Sequence, residues 1–215
     1  MNLNRNTCNN ILAITCILFM FSACVSGTSQ PPVSEREEPS TPVSTGVSGV
    51  EKIELASIET ISVEAPLKAK YDNIVIDDFK STDQIQSDYP HAVIDCKSRI
   101  IGQLKSKNAY KNVTDDPGKT LTGKSVIVNL SVSDIRIAGG AARFWGGAFA
   151  GNSYMDVLVE IQDVATKEVV YKKILSTSNN AWGAAWTGGS TDHSLPADLG
   201  VLIGEYIYKT VPANN

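Results

Sequence analysis

The sequence predicts an α+β domain, a small antiparallel-rich sheet with two packed helices, preceded by a disordered tether. Three observations predict it. Two stretches alternate apolar and polar residues with the period of a half-buried strand: Val126, Val128, Leu130 and Val132, then Met155, Val157, Val159 and Ile161. Two others repeat apolar residues at helical spacing: Val93, Cys96, Ile100 and Leu104, then Leu195, Leu199, Leu202 and Tyr206. Between residues 25 and 50, 16 of 26 residues are Ser, Thr, Pro or Gly and none is aromatic, too little apolar surface to offset the entropy of ordering.

Residues 1–23 read as an address and stand outside the fold. The apolar run 11–21 is too short to cross a membrane as a stable helix. The residues that follow it, Phe21-Ser22-Ala23-Cys24, resemble the lipobox of bacterial lipoproteins, with Phe21 in place of the usual leucine. The resemblance implies acylation of the Cys24 thiol, cleavage before Cys24 and acylation of the new amine. Two or three acyl chains are enough for stable anchoring. Val25 stands where an aspartate would resemble the inner-membrane retention signal, so the expected location is the outer membrane, with the domain in the periplasm. Cys24 and residues 25–50 then form the lipidated tether, with an r.m.s. reach of roughly 25–30 Å.

Composition narrows the function classes. The 215 residues are 42% hydrophobic and 20% charged with net charge −4, which leaves no basic excess for a nucleic-acid backbone. Two histidines leave little for a histidine-rich metal site. Of the four cysteines, Cys8 and Cys16 leave with the signal and Cys24 is blocked by lipid. Cys96 therefore has no intramolecular partner, and its helical setting makes it a small buried hydrophobe. No cofactor or metal is expected.

Residues 51–70 are ambiguous, apolar enough for a short strand or an amphipathic piece along the domain. The domain proper, residues 71–210, is expected to start near Tyr71. Asn73 to Phe79 reads as a strand apolar on both faces. Pro90 fits the first turn of the helix that carries Cys96 and runs to about Lys107. The alternation from Val126 to Val132 breaks phase at Asp134, which predicts a bulge. A tight connection after Asp163 leads into a third strand over residues 168–177. The closing helix is capped by Ser194 or Asp192, with Pro196 in its first turn. This order resembles the small domain of the TolB amino-terminal and curli-secretion-lipoprotein type, a likeness of fold that carries function poorly.

Gly118-Lys-Thr-Leu-Thr-Gly123-Lys124-Ser125 matches the phosphate-loop pattern G-x-x-x-x-G-K-S, and Asp77-Asp78 imitates its acidic strand. Phosphate binding requires a strand before the loop and a helix after it. Here Asp115-Asp116-Pro117 precedes it and an alternating strand follows, so a polar turn is expected.

The most informative residues form two segments. Gly139-Gly140-Ala-Ala-Arg143-Phe144-Trp145-Gly146-Gly147-Ala148-Phe149-Ala-Gly151 and Trp182-Gly183-Ala-Ala185-Trp186-Thr-Gly188 both read Trp-Gly-small-Ala-aromatic-x-Gly, and together hold all three tryptophans. Three successive antiparallel strands would bring both to one end of the sheet. Arg143, Phe144, Trp145, Phe149, Trp182 and Trp186 would then form a contact patch for a partner, a second copy or a membrane surface. The opposing reading folds the tryptophans back as lids on the core. These motifs, with Ser194-Leu-Pro-Ala-Asp-Leu-Gly200, resemble a family of uncharacterised bacterial lipoproteins with a domain of unknown function. The resemblance implies an exported lipoprotein and supplies no catalytic residues.

The expected function is a noncatalytic, outer-membrane-tethered interaction module that reaches an envelope protein or peptidoglycan. Homo-oligomerisation is an added option, and no nucleic acid is involved. One alternative is a subunit of an oligomeric export pore of curli-secretion type, although the segment 139–151 is short for a barrel hairpin. The other is an envelope enzyme, for which His193 beside Asp192 is the only acid–base pair to name. His91, next to Pro90, reads as a helix-start residue.

Overall fold

The structure is a computed structural model that describes residues 49–139, 145–146, 151–179 and 190–214. Two long strands organise it. β4 (Ser125–Arg136) buries Val126, Val128, Leu130 and Val132 and leaves the residues between them half-exposed. β5 (Ser153–Asp163) lies antiparallel to it and buries Met155, Val157, Val159 and Ile161 on the same face. The expected bulge lies between Val132 and Asp134. Ser133 is the extra residue, and it returns Ile135 to the core face opposite Met155. β6 (Val169–Asn179) completes the antiparallel meander after a turn at Asp163 to Glu168.

Three strands pair in parallel around that meander. β1 (Lys52–Glu54) adds to β6, β2 (Asn73–Lys80) adds to β4, and β3 (Asn112–Thr114) adds to β2. The result is a six-stranded mixed sheet in the order β1-β6-β5-β4-β2-β3, antiparallel along its longest pairs. Parallel neighbours on both sides explain why β2 buries Asn73 to Ile76 on successive positions.

Residues 51–70 are part of this unit. Besides β1 they contribute Leu55 and Ile61 to the core. The Leu67 N–H bonds to the Thr210 carbonyl, and Lys209 Nζ bonds to the Ile61 carbonyl. The core therefore starts before Tyr71. Lys52 Nζ lies 2.7 Å from the Asp156 carboxylate, which is almost fully buried and also accepts from Ser176 Oγ.

The helices differ from expectation at their starts. A short helix, α1 (Asp83–Asp88), precedes the main one, with Thr82 Oγ1 accepting the Ile85 N–H. α2 (Ala92–Ser106) starts after Pro90, with His91 rather than a proline turn at its cap. It buries Ala92, Cys96, Ile100 and Leu104, while Val93 is only partly covered. Burial pushes the Cys96 thiol far up, and Asp95 adds to it, so the group stays protonated. α3 (Ser190–Thr210) begins earlier than Pro196 implies, so Pro196, Asp192 and Ser194 all lie inside it. Ser194 Oγ bonds within the helix to the Thr191 carbonyl and Asp198 rather than capping its end.

α2 and α3 pack closely on one another and on a single face of the sheet. Gly200 and Gly204 set the approach. A Cβ on Gly200 would lie 2.4 Å from the Cys96 carbonyl oxygen, and one on Gly204 would lie 2.7 Å from Gln103 Cβ. Beside them the almost fully buried Glu205 accepts from Gln103 Nε2 and pairs with Lys107. Burial raises the Glu205 carboxyl, but Lys107 and Gln103 outweigh it, and the group stays below its ordinary range. Among the described residues no helix is long and apolar enough to cross a membrane.

Candidate functional site

The two ends of the sheet hold different chemistry. The lower end, where β2 and β4 start, contains the phosphate-loop lookalike. Residue 125 opens β4, so the segment runs into a strand and presents no helix N-terminus. Gly123 adopts φ +96°, and a Cβ there would meet Asp72 Oδ2 at 2.5 Å. The Lys124 N–H donates to that carboxylate at 2.9 Å, and Lys111 Nζ and Asn214 Nδ2 approach its other oxygen. Asn73 Nδ2 donates to the Thr122 carbonyl and to Ser125 Oγ. The Gly-Lys-Ser residues thus fasten β2, β4 and the carboxyl-terminal residues around Asp72. The bond from Lys111, then the Lys124 N–H, hold the Asp72 carboxyl below its ordinary range. Asp77 lies four residues along β2 from the start of β4, roughly 13 Å away, too far to assist a cation at the loop.

Tyr71 and Asp163 lock the same end. The Tyr71 hydroxyl donates to Asp163 Oδ2, and Asp163 Oδ1 accepts the Ala165 and Thr166 N–H groups of the turn. Burial first, then the bond to Asp163, push the Tyr71 hydroxyl up to about 12.

The upper end, where β4 finishes, is where the two glycine–aromatic segments leave and return. Arg136 pairs with Tyr154, and Ser153 pairs with Asn179, so residues 139–151 and 180–189 issue from one end. Side chains hold these exits in place. The Ile137 N–H donates to the Tyr89 hydroxyl, the Ala138 N–H to Ser153 Oγ, and Asn179 Nδ2 to the Thr191 carbonyl. Trp145 is 86% exposed. Arg143, Phe144, Phe149, Trp182 and Trp186 lie outside the described residues, as do Cys24 and the tether up to residue 48.

A cavity of about 310 Å³ opens at this end. The turn from Asp88 to His91 forms one wall, Ala92 and Asp95 of α2 a second, and Ile137 with Gly139 a third, closed by His193 and Pro196 of α3. Ala92 and Pro196 are buried, while Asp88, His91, Asp95 and His193 are exposed at the rim. The chain's two histidines, 102 positions apart, thus line one cavity. Asp192 is fully buried while its neighbour His193 is exposed. Among the described residues no group of three or more His, Cys, Asp or Glu side chains is placed to hold a metal ion.

The role of Gly123 and the meeting of the histidines are the features that motif reading missed. Local sequence carries a signal for the first, an acidic residue before β2 and a glycine before β4. It carries none for the second, which depends on α2 and α3 packing together.

Comparison with known proteins adds a family. The model of DUF4410, a domain of unknown function, matches residues 55–192. No curated protein matches the sequence. Among solved structures, the PelC dodecamer from Paraburkholderia phytofirmans is 15% identical with a TM-score of 0.47, over 70% of this chain and 96% of that one. Protein XCC0632 from Xanthomonas campestris, of the DUF330 family, is 8% identical with a TM-score of 0.46, over 68% and 90%. The hypothetical protein CT253 from Chlamydia trachomatis is 13% identical with a TM-score of 0.35, over 63% and 93%.

Proposed function

The chain belongs to the DUF4410 family of domains of unknown function, and on that premise we propose that it is a noncatalytic contact module of the cell envelope. Cys24 carries the lipid anchor in the outer membrane, and the upper end of the sheet meets a protein partner. One observation carries this reading. The strand register sends both glycine–aromatic segments out of the same end, and the one tryptophan described there, Trp145, is 86% exposed. Large exposed aromatic surface marks contact sites, and aromatic anchors dominate binding energy where they are buried by a partner.

Two measurements test it. Cys24→Ala is expected to leave an unprocessed chain without acyl groups, read by mass spectrometry and membrane fractionation. A photocrosslinking residue at position 145 is expected to trap an envelope protein in intact cells. The same residue at Val169, which is 52% exposed at the turn of the lower end, serves as the control. Equal trapping at both positions would remove the upper end as the contact surface.

A further inference from the structure

We propose that the 310 Å³ cavity at the upper end is a pocket for a basic side chain, lysine or arginine, presented by the protein partner. The inference rests on the contact-module reading and names the chemistry that the surface selects. Asp88 and Asp95 stand at the rim, and among the described residues no lysine or arginine contributes to the lining. Asp95 lies in the first turn of α2 and offsets the positive end of that helix. Asp88 ends α1, where the helix field is already negative. Its carboxylate accepts from Gln84 Nε2 and keeps further lone pairs for another donor.

The floor suits the aliphatic stem of such a side chain. Ala92 and Pro196 are buried, and Ile137 is half-buried and fixed by its N–H bond to Tyr89. Lysine and arginine lay an apolar stem along such surfaces while the charged head stays near water. His91 and His193 stand on different elements at the rim, and each imidazole offers an acceptor nitrogen or a flat face to a guanidinium. The exposure of the rim also decides between sources. A free small molecule is usually held with most of its surface buried, whereas a side chain on a partner needs only an open socket.

The two histidines supply the readout, because their imidazole C–H resonances are the only ones in the chain. The full chain is titrated with Nα-acetyl-arginine amide, with the norleucine and glutamate amides as controls. His91→Gln and His193→Gln assign the two signals. The expected result is a saturable shift of both signals with the arginine amide alone. Asp88→Asn and Asp95→Asn are each expected to weaken it roughly two- to fivefold, the range of exposed ion pairs. No saturable shift, an equal response to norleucine amide, or indifference to both carboxylate variants overturns the pocket.

Partner capture separates this proposal from the reading beneath it. Asp88→Asn with Asp95→Asn should reduce capture, and Trp145→Ala should reduce capture without moving the arginine-amide titration. Capture lost with Trp145→Ala but unchanged in the double aspartate variant keeps the contact surface and sinks the pocket. Probe binding with capture insensitive to the double variant assigns the cavity to a free amine, against the proposal.

Discussion

At the lower end of the sheet, Gly123 lets a backbone N–H reach the almost fully buried Asp72, and Tyr71 and Asp163 close the turn above it. At the upper end, Trp145 is exposed and the two histidines stand at the rim of an open cavity. The lower end contains the more famous motif and spends it on architecture. Its lysine and serine bond to Asp72 and Asn73, and its glycine leaves room for the Asp72 carboxylate. The upper end, among its described residues, keeps Trp145, His91 and His193 exposed. A motif points to function only when its surroundings leave its groups for a ligand.

The largest expected effect concerns the strap that precedes both ends. A shortened chain that begins at Tyr71 loses Leu55 and Ile61 from the core and leaves Asp156 without Lys52. Two buried aliphatic side chains correspond to about 3–6 kcal/mol, so urea unfolding of the shortened chain should show a heavily reduced midpoint. An unchanged midpoint would mean that residues 51–70 only decorate the fold.

Gly123→Ala comes next. A side chain at φ +96° is strained, and the Cβ would collide with the Asp72 carboxylate. The expected loss is about 1–3 kcal/mol, measured by denaturant unfolding. It sharpens the comparison because the same substitution would be a binding mutation if the loop held phosphate.

A pH effect follows from Tyr71 at the same end. Its folded value is raised from the ordinary 10 to about 12, so the folded state keeps a proton that the unfolded state releases. This contribution is complete below about pH 10 and is lost as pH rises toward 12. Unfolding midpoints at pH 9 and 11.5 should differ, and Tyr71→Phe should narrow the difference. Tyr110 and Tyr171 are also raised, first by burial, so part of the loss should persist in that variant.

Legibility in the sequence followed the range of the interactions. The alternation in β4 and β5, the bulge at Asp134 and the buried face of α2 are local patterns, and the structure has them. The parallel additions of β1 and β3 are three residues long and depend on β6 and β2, far away in the chain, so no periodicity announces them. The start of α3 is not legible from its proline, which usually marks a first turn, whereas here the helix extends upstream of Pro196. The spacing of Gly200 and Gly204 is visible in the sequence, but its meaning appears only once α2 lies against it. The candidate site divides the same way. Its exit from one end follows from counting strands, while its cavity needs His91 and His193 brought together across two helices.

The smallest effect on stability is expected from the residue with the largest expected effect on binding. A tryptophan that closes the core costs about 3–5 kcal/mol when cut to alanine. Trp145 is 86% exposed, so Trp145→Ala should change the unfolding free energy by no more than about 0.5 kcal/mol. If Trp145 anchors the partner, the same variant should lose about 2 kcal/mol or more of binding, roughly thirtyfold. The two measurements must be made on one preparation, because loss of folded protein imitates loss of affinity. A large fall in stability would make Trp145 architectural and erase the contrast between the two ends. Full stability with unchanged capture would keep the contrast but take Trp145 out of the contact. Full stability with capture lost is the result expected if the upper end is where this domain meets its partner.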